Sequence, residues 1–558
     1  MLSILVVWGV IAAISYVIGK AVLILTGLSD KEKNIEWDIC LVAGLGIANL
    51  YAQIFSLFAG VGMVAFLVLS LLAVAASVYL KKKNLLKPCI ISHKNDIKNM
   101  TGVALIIILL ATVLWTDITP QHYDTYLYHA QAIHWIERFG VVKGLGNLHF
   151  RLAYNSALMP LQALYSFAWL GGRSLHMVNG FFTAFVLVYA ALNIGGSKEK
   201  IRISDILTLG MMIYVLYDSF HMSSPNTDTI ALLLIYYIIV KWQRYSEDGI
   251  VQPEKYGLLC LFIVYATTIK LSVGIMVLLV IYPAVQLIKN RNITLIVKYL
   301  FSGILLLIPY LIRNVIISGY MIYPYEATAV RGIDWRMSEA TLATDRAEII
   351  AWARGNYNIT RNDEHIRQWF GQWFMSINIL WKLMFVISIL AILCLLIICI
   401  RDRRKFSIIE YNLIGVCICG MAFWLITAPL PRYGTIYVIT LPCIAAGMLV
   451  REYADKLMGG LKKVVSIGFI ASLVLYLLLF PAYVCIKNVG QVPLFVQSDY
   501  DNHEVVTETL GDFEIVVPVS GDQTGYEPFP SAPYSDAASR IELRGATLED
   551  GFREKNSN

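Results

Sequence analysis

The chain has 558 residues, 58% of them apolar and 15% charged, with a mean hydropathy of +0.64 and a formal net charge of +6. A soluble domain is about 45–50% apolar and about 25% charged, so this composition excludes an ordinary soluble globule and makes lipid the main solvent. Most lysines and arginines fall in short loops between apolar runs, so the positive balance reads as membrane orientation and not as nucleic-acid binding.

Fourteen stretches approach the roughly 20 apolar residues that a membrane-crossing helix needs: 2–26, 37–59, 62–80, 101–117, 175–194, 203–220, 228–242, 256–269, 271–288, 295–317, 377–400, 408–428, 433–450 and 464–487. The expected fold is an all-α polytopic membrane protein, although 228–242 and 256–269 are short for a span. The first stretch lacks a basic leader and a small-residue cleavage site, so it reads as a helix rather than a signal peptide.

Basic clusters stand at Lys81/Lys82/Lys83/Lys87/Lys94/Lys98, Lys198/Lys200/Arg202, Lys289/Arg291, Arg401/Arg403/Arg404/Lys405 and Arg451/Lys456/Lys462/Lys463. With alternating spans all of them fall on one side, which the positive-inside rule makes cytoplasmic. The alternation holds only if 157–170 does not cross, so that segment reads as a helix along the outer interface, with both termini outside.

Two long outer loops, 118–174 and 318–376, and a polar tail from about 488 complete the chain. In the tail, Phe513–Val519 reads as a strand and the proline-rich run Tyr526–Tyr534 as extended or turn-like, which predicts a small β-rich appendage. Glu554 to Asn558 read as a disordered end. No internal repeat is visible, which weighs against a transporter built from duplicated halves. The nine cysteines include no CxxC pair, and neither their spacing nor their apolar surroundings support metal or redox chemistry.

Five polar clusters fall on the outer side. The first loop opens Asp117-Ile-Thr-Pro-Gln-His-Tyr-Asp124, and Asp124, Tyr128 and Ala132 follow at intervals of four, on one helical face. The others are Ser223-Ser-Pro-Asn-Thr-Asp228, Lys270 between two spans, Arg313-Asn314 with Gly319–Pro324, and Pro429-Leu-Pro-Arg432-Tyr433. Simple explanations exist: Asp124 and Asp228 suit helix caps, and Lys270 could snorkel. Arg313 is harder to dismiss, because it lies more than a turn inside its span, where an unpaired cation is costly. His122, His129, His134 and His149 crowd the first loop at irregular spacing, which suits interfacial histidines better than a metal cage.

The order of these clusters over roughly residues 100–450 resembles the GT-C superfamily of membrane glycosyltransferases, especially bacterial members similar to the protein mannosyltransferase and aminoarabinose transferase group. That pattern has an acidic residue and interfacial helices in the first outer loop, then a second acidic turn and a later basic residue. An Arg-Asn before a Gly-Asn-Pro loop and a Pro-x-x-Arg-Tyr opening a late helix follow. Here Asp124 stands without the usual Asp-Glu pairing, and Tyr320-Met321 replace Asn-Pro. The resemblance divides the chain into N-terminal extra helices with a basic loop (1–99), a catalytic module (100–450), a last helix (451–487) and an outer tail (488–558).

The resemblance implies transfer of a sugar from a polyprenyl-phosphate donor to a glycan, lipid or protein acceptor at the outer face, with inversion. It implies Asp124 as general base, with Asp228 orienting the acceptor or a sugar hydroxyl. Arg432 and Arg313 would hold the phosphate, with Lys270 as a third charge, and Asn314, Tyr128, His129 and Tyr433 would join the donor and substrate contacts. Whether a divalent cation takes part is left open; Asp124 and Asp228 could share one, since carboxylates suit hard cations. In the 335–374 loop, Trp335, Trp352, Trp369 and Trp373 could stack sugar faces or anchor at the interface. Two alternatives stay open: a transporter or flippase of lipid-linked sugars, and a polymerase or ligase using the arginines at 331, 336, 346, 354, 361 and 367.

Overall fold

A computed structural model describes residues 1–28, 35–86, 100–194, 201–361, 363–401, 406–457, 461–487, 492–534 and 537–555. Lys87, Lys94, Lys98, Lys198, Lys200, Arg403, Arg404, Lys405 and Asn556–Asn558 lie outside the described residues, as do the side chains of Lys456, Lys462 and Lys463.

Helices α1 (Leu2–Thr26), α2 (Trp37–Phe55), α3 (Met63–Lys82) and α4 (Met100–Thr116) open the chain. The first long connection carries α5 (Ala130–Phe139), α6 (Leu145–Leu148), α7 (Leu158–Leu164) and α8 (Ala168–Gly171). Then come α9 (Val178–Asn193), α10 (Ile203–Tyr217), α11 (Thr227–Glu247), α12 (Pro253–Ile269), α13 (Ile281–Lys289) and α14 (Ile293–Ser318). A second connection holds α15 (Glu339–Ala353) and α16 (Ile366–Ser376), followed by α17 (Ile379–Arg401), α18 (Ile408–Thr427), α19 (Pro431–Leu457) and α20 (Leu461–Lys487). The tail adds β1 (Val505–Leu510), β2 (Phe513–Pro518), α21 (Ala537–Arg540), β3 (Ile541–Leu543) and β4 (Phe552–Glu554).

Among the described residues, nine helices are long and apolar enough to cross a membrane, and the protein is membrane-embedded. Each of the fourteen expected stretches contains a helix, but α4, α9 and α10 are shorter apolar helices, and α11 and α12 have polar ends. The polar ends of α11 do not make it a surface helix. Every residue from Asp228 to Gln243 is buried, because α9, α10, α12, α18 and α19 surround it. A helix enclosed on all sides is apolar all round, which hides its register from periodicity. At the end of α11 away from Asp228, Lys241 lies 2.5 Å from Asp38, and Tyr237 donates to the same carboxylate at 2.7 Å. That buried ion cluster ties the start of α2 to α11.

One apolar core runs from Ile4 in α1 to Phe480 in α20, so packing is continuous across residue 99. A second core joins the first connection to the tail, with Trp135, Leu145 and Leu148 against Leu510, Ile515, Val517 and Phe552. The tail is therefore a docked layer. β1 pairs antiparallel with β2, and β3 with β4. Glu554 is not part of a disordered end: it closes β4 and accepts hydrogen bonds from Ser338 N at 3.2 Å and Thr341 Oγ1 at 3.3 Å.

The segment 157–170, expected as one helix that does not cross, is broken into two short helices. It forms the seven-residue α7 and the four-residue α8. All of α7 is buried, against α2 and α5. At about 1.5 Å per residue it is far too short to cross a bilayer.

Candidate functional site

α11 and α19 begin, and α12 and α14 end, around one cavity of about 1020 Å³. Asp124, Tyr128, Asp228, Lys270, Arg313, Arg432 and Tyr433 all line it. His129 and Asn314 do not.

The first loop reaches the site through Ser224. Its Oγ accepts from the backbone N–H groups of Gln121 and His122, each at 2.9 Å. The Ser224 carbonyl in turn accepts from Asn179 Nδ2 at 2.8 Å. This seats Tyr123-Asp124 beside the start of α11. Asp124 makes no side-chain cap bond, and α11 is capped by Asn226, which accepts from Thr229 N at 2.8 Å. Neither carboxylate is used as a cap. Both line the cavity.

The turn after Asp124, Thr125–His129, is π-helical before α5 begins. Such wider turns concentrate at functional sites. The expected α-helical face is thus loosened, yet Asp124, Tyr128 and Ala132 still reach the cavity together with Leu127.

Arg432 links the two carboxylates. Its NH2 is 3.3 Å from Asp124 Oδ2, and its Nε is 3.7 Å from Asp228 Oδ2. Pro431 opens α19, a position suited to proline because the missing N–H would have no helical partner. The loop before it is held by Trp373 Nε1 on Pro429 O and Trp424 Nε1 on Leu430 O, both at 2.8 Å. A side chain at Gly434 would collide with the Trp424 ring at 2.3 Å, so glycine is what lets α19 start this close. Lys270, at the end of α12, lies 2.5 Å from Asp228 Oδ1, and its ammonium sits 4.3 Å from the Tyr433 ring centroid. Two cations thus offset two carboxylates.

His122 Nε2 is 3.1 Å from Arg432 NH1. Arginine can only donate, so Nε2 accepts. Burial pushes the His122 pKa down to about 3 against the pull of Asp124, and Arg432 acts in the same direction as burial. The ring is therefore neutral near pH 7. Burial works against ionisation of Asp124, but the Arg432 guanidinium outweighs it and holds the carboxyl below its usual range. His129, expected among the substrate contacts, is buried behind the cluster with neither ring nitrogen partnered, and burial pushes it down to about 4.

Arg313 is fully buried on another part of the wall. Its Nε donates to Asn155 Oδ1 at 3.1 Å and its NH1 to Ser56 Oγ. Among the described residues no carboxylate pairs with it. Asn314, expected as a ligand contact, instead positions: it accepts from Asn155 Nδ2 at 3.0 Å and donates to Met321 O at 2.9 Å. Asn155 adopts the left-handed conformation, φ 41°, which asparagine tolerates better than most residues.

Of the four loop tryptophans only Trp352 lines the cavity. Trp369 and Trp373 are buried, and Trp335 donates to Val315 O at 3.1 Å. None of the arginines at 331, 336, 346, 354, 361 and 367 lines it. Among the described residues no group of three or more His, Cys, Asp or Glu side chains is placed to hold a metal ion. The lining also includes Arg151, Asn155 and the tail residue Asp522, which sequence reasoning missed. Ser56 and His122 were missed as partners of the two arginines. Only His122 carried a signal, its place two residues before Asp124.

A family model described as a domain of unknown function, DUF8201, matches residues 1–439. No curated protein and no solved structure matches the chain.

Proposed function

The chain belongs to the DUF8201 family, and we propose that it acts as a multi-pass membrane glycosyltransferase, taking a sugar from a polyprenyl-phosphate donor on the extracytoplasmic face. The observation that carries this reading is the joining of two carboxylates, Asp124 and Asp228, to Arg432 and Lys270 at one cavity whose wall also includes the buried Arg313, which has no carboxylate partner among the described residues. The fourteen-span, GT-C-like architecture belongs to the same proposal.

The donor has a charged head and an apolar tail, and the cavity offers surfaces for both. Tyr217, Leu271 and Phe423 line it at helix ends while remaining 40%, 40% and 39% exposed, which suits a prenyl chain arriving from the side. Among the described residues that line the cavity, Arg313 is the cation with no carboxylate partner, so it is the primary phosphate anchor. Arg432 and Lys270 join when phosphate oxygens compete with Asp124 and Asp228 for them. In the transfer, the acceptor oxygen bonds to the anomeric carbon as the C–O bond to phosphate breaks. Asp124 takes the hydroxyl proton, and the leaving phosphate keeps the electron pair against Arg313, Arg432 and Lys270. In-line displacement inverts the anomeric centre. The competition for Arg432 has a chemical use: a carboxylate freed of its guanidinium is a stronger base.

The orientation rests on where the basic residues lie. α14 runs from beside Arg291 to the cavity, and α17 and α19 run from the cavity to Arg401 and Arg451. The lysines and arginines of these helix ends are thus remote from the site, which the positive-inside rule makes extracytoplasmic. The absence of loop arginines from the cavity favours transfer over the polymerase or ligase reading.

The test is turnover in proteoliposomes with a panel of polyprenyl-phosphate sugars labelled in the lipid. Release of polyprenyl phosphate supports the proposal. Movement of intact lipid-linked sugar across the bilayer without release would replace it with transport.

A further inference from the structure

We infer that the outer mouth of the cavity is a binding site for a neutral saccharide chain, with Trp352 and Tyr357 as stacking faces and Arg151 and Asp522 as hydrogen-bonding groups. On the transferase reading, this makes a glycan the acceptor. The binding itself does not depend on that reading.

The mouth is built from three separate parts of the chain. The first loop supplies Tyr123 and Arg151, the second connection Trp352 and Tyr357, and the tail Asp522, all of which line the cavity. Asp522 accepts a hydrogen bond from the Tyr123 hydroxyl, and Gln523 Nε2 donates to Tyr123 O at 2.9 Å. The tail therefore holds the residue next to Asp124, which gives it a part in the site beyond covering it.

Three large aromatic residues here are open: Tyr123 is 57%, Trp352 39% and Tyr357 79% exposed. Tyr357 is held at φ 52°, a left-handed conformation that is an outlier for a bulky side chain and clusters at ligand sites. Open aromatic faces beside fixed polar groups are what a sugar ring needs, with apolar C–H faces for the rings and hydroxyls for the charged groups.

The charge points to a neutral occupant. Arg151 is buried, 3.6 Å from Glu348 and stacked 4.8 Å from the Trp352 ring centroid. Its charge is already offset, and Asp522 adds a negative one, so among the described residues the mouth has no spare cation for an anionic ligand. A hydrocarbon chain would leave Asp522 and Arg151 unanswered. The Tyr123-Asp124 adjacency then leads a bound saccharide's terminal hydroxyl to the proposed base.

The test uses the full chain in lipid nanodiscs. Binding of cellohexaose, mannohexaose, chitohexaose and a Ser/Thr-rich decapeptide is measured beside binding of polyprenyl phosphate. At least one hexasaccharide should bind, and Trp352→Ala should weaken it about tenfold or more, the scale for a lost aromatic contact. Trp352→Phe should keep most of the affinity. Tyr357→Ala, at an exposed position that leaves folding intact, should weaken binding as well. Polyprenyl phosphate binding should be unchanged in all three variants. The inference is overturned if no hexasaccharide binds, if only the peptide binds, or if saccharide affinity ignores Trp352 and Tyr357. Saccharide binding without polyprenyl phosphate binding to the unmodified protein would sink the donor reading and leave the mouth standing.

Discussion

Arg432 and Asp124 form an ion pair at 3.3 Å across the cavity that a donor phosphate would enter. The pair makes the resting site self-neutralised. Under the proposed function it would also couple donor binding to the basicity of the carboxylate, because the same guanidinium cannot serve a phosphate and Asp124 equally well.

That coupling is testable through pH. Arg432 holds Asp124 low in the resting site, so the acidic limb of kcat/KM for the donor, which reports the free enzyme, should lie below the usual carboxylate range. Removing the cation favours the protonated form, so Arg432→Gln should move the limb to higher pH. The same change should weaken polyprenyl phosphate binding by about 1.5–3 kcal/mol, the scale for a charged hydrogen bond. Arg432→Lys should restore affinity only in part, because the planar fork is lost. An acidic limb that stays in place in Arg432→Gln would break the link between the two residues.

Arg313 should show opposite effects on stability and binding. An unpaired buried cation is costly to fold around, so Arg313→Met should leave thermal stability unchanged or raise it. Polyprenyl phosphate affinity should nevertheless fall about tenfold or more. Loss of stability with affinity intact would make Arg313 a structural residue.

The orientation is open to labelling. With Cys419 and Cys485 replaced, cysteines at Ser520 and Arg331, both exposed on the site's side, should react with an impermeant thiol reagent added to sealed cells. One at Asn290, exposed at the end of α13, should not. The reverse pattern would move the site to the cytoplasm.

The sequence made the cluster legible where a charge interrupts an apolar pattern. Asp228, Lys270 and Arg432 each stand at a helix end next to a long apolar run, so their place at the ends of apolar helices could be read one by one. Their mutual contacts could not, since these depend on how α11, α12 and α19 pack. Arg313 was legible as an anomaly, but its Ser56 and Asn155 partners come from α2's end and from the first loop. Local pattern also could not show how α7 packs, because its burial against α2 and α5 is a tertiary fact. Glu554 is ordered by Ser338 and Thr341, far away in the chain. The role of the tail escaped entirely, because nothing in the residues around Asp522 signals that Tyr123 binds it.

The central claim is that Asp124 removes a proton during sugar transfer, and one substitution addresses it directly. Asp124→Asn keeps the shape of the side chain and removes its basicity. Release of polyprenyl phosphate from a lipid-linked sugar should fall about 10²–10⁴-fold, the range for loss of a general base. Donor affinity should not fall, because Arg432 is relieved of its internal partner. Turnover in Asp124→Asn equal to that of the unmodified protein, with Asp228→Asn inactive, would contradict the account.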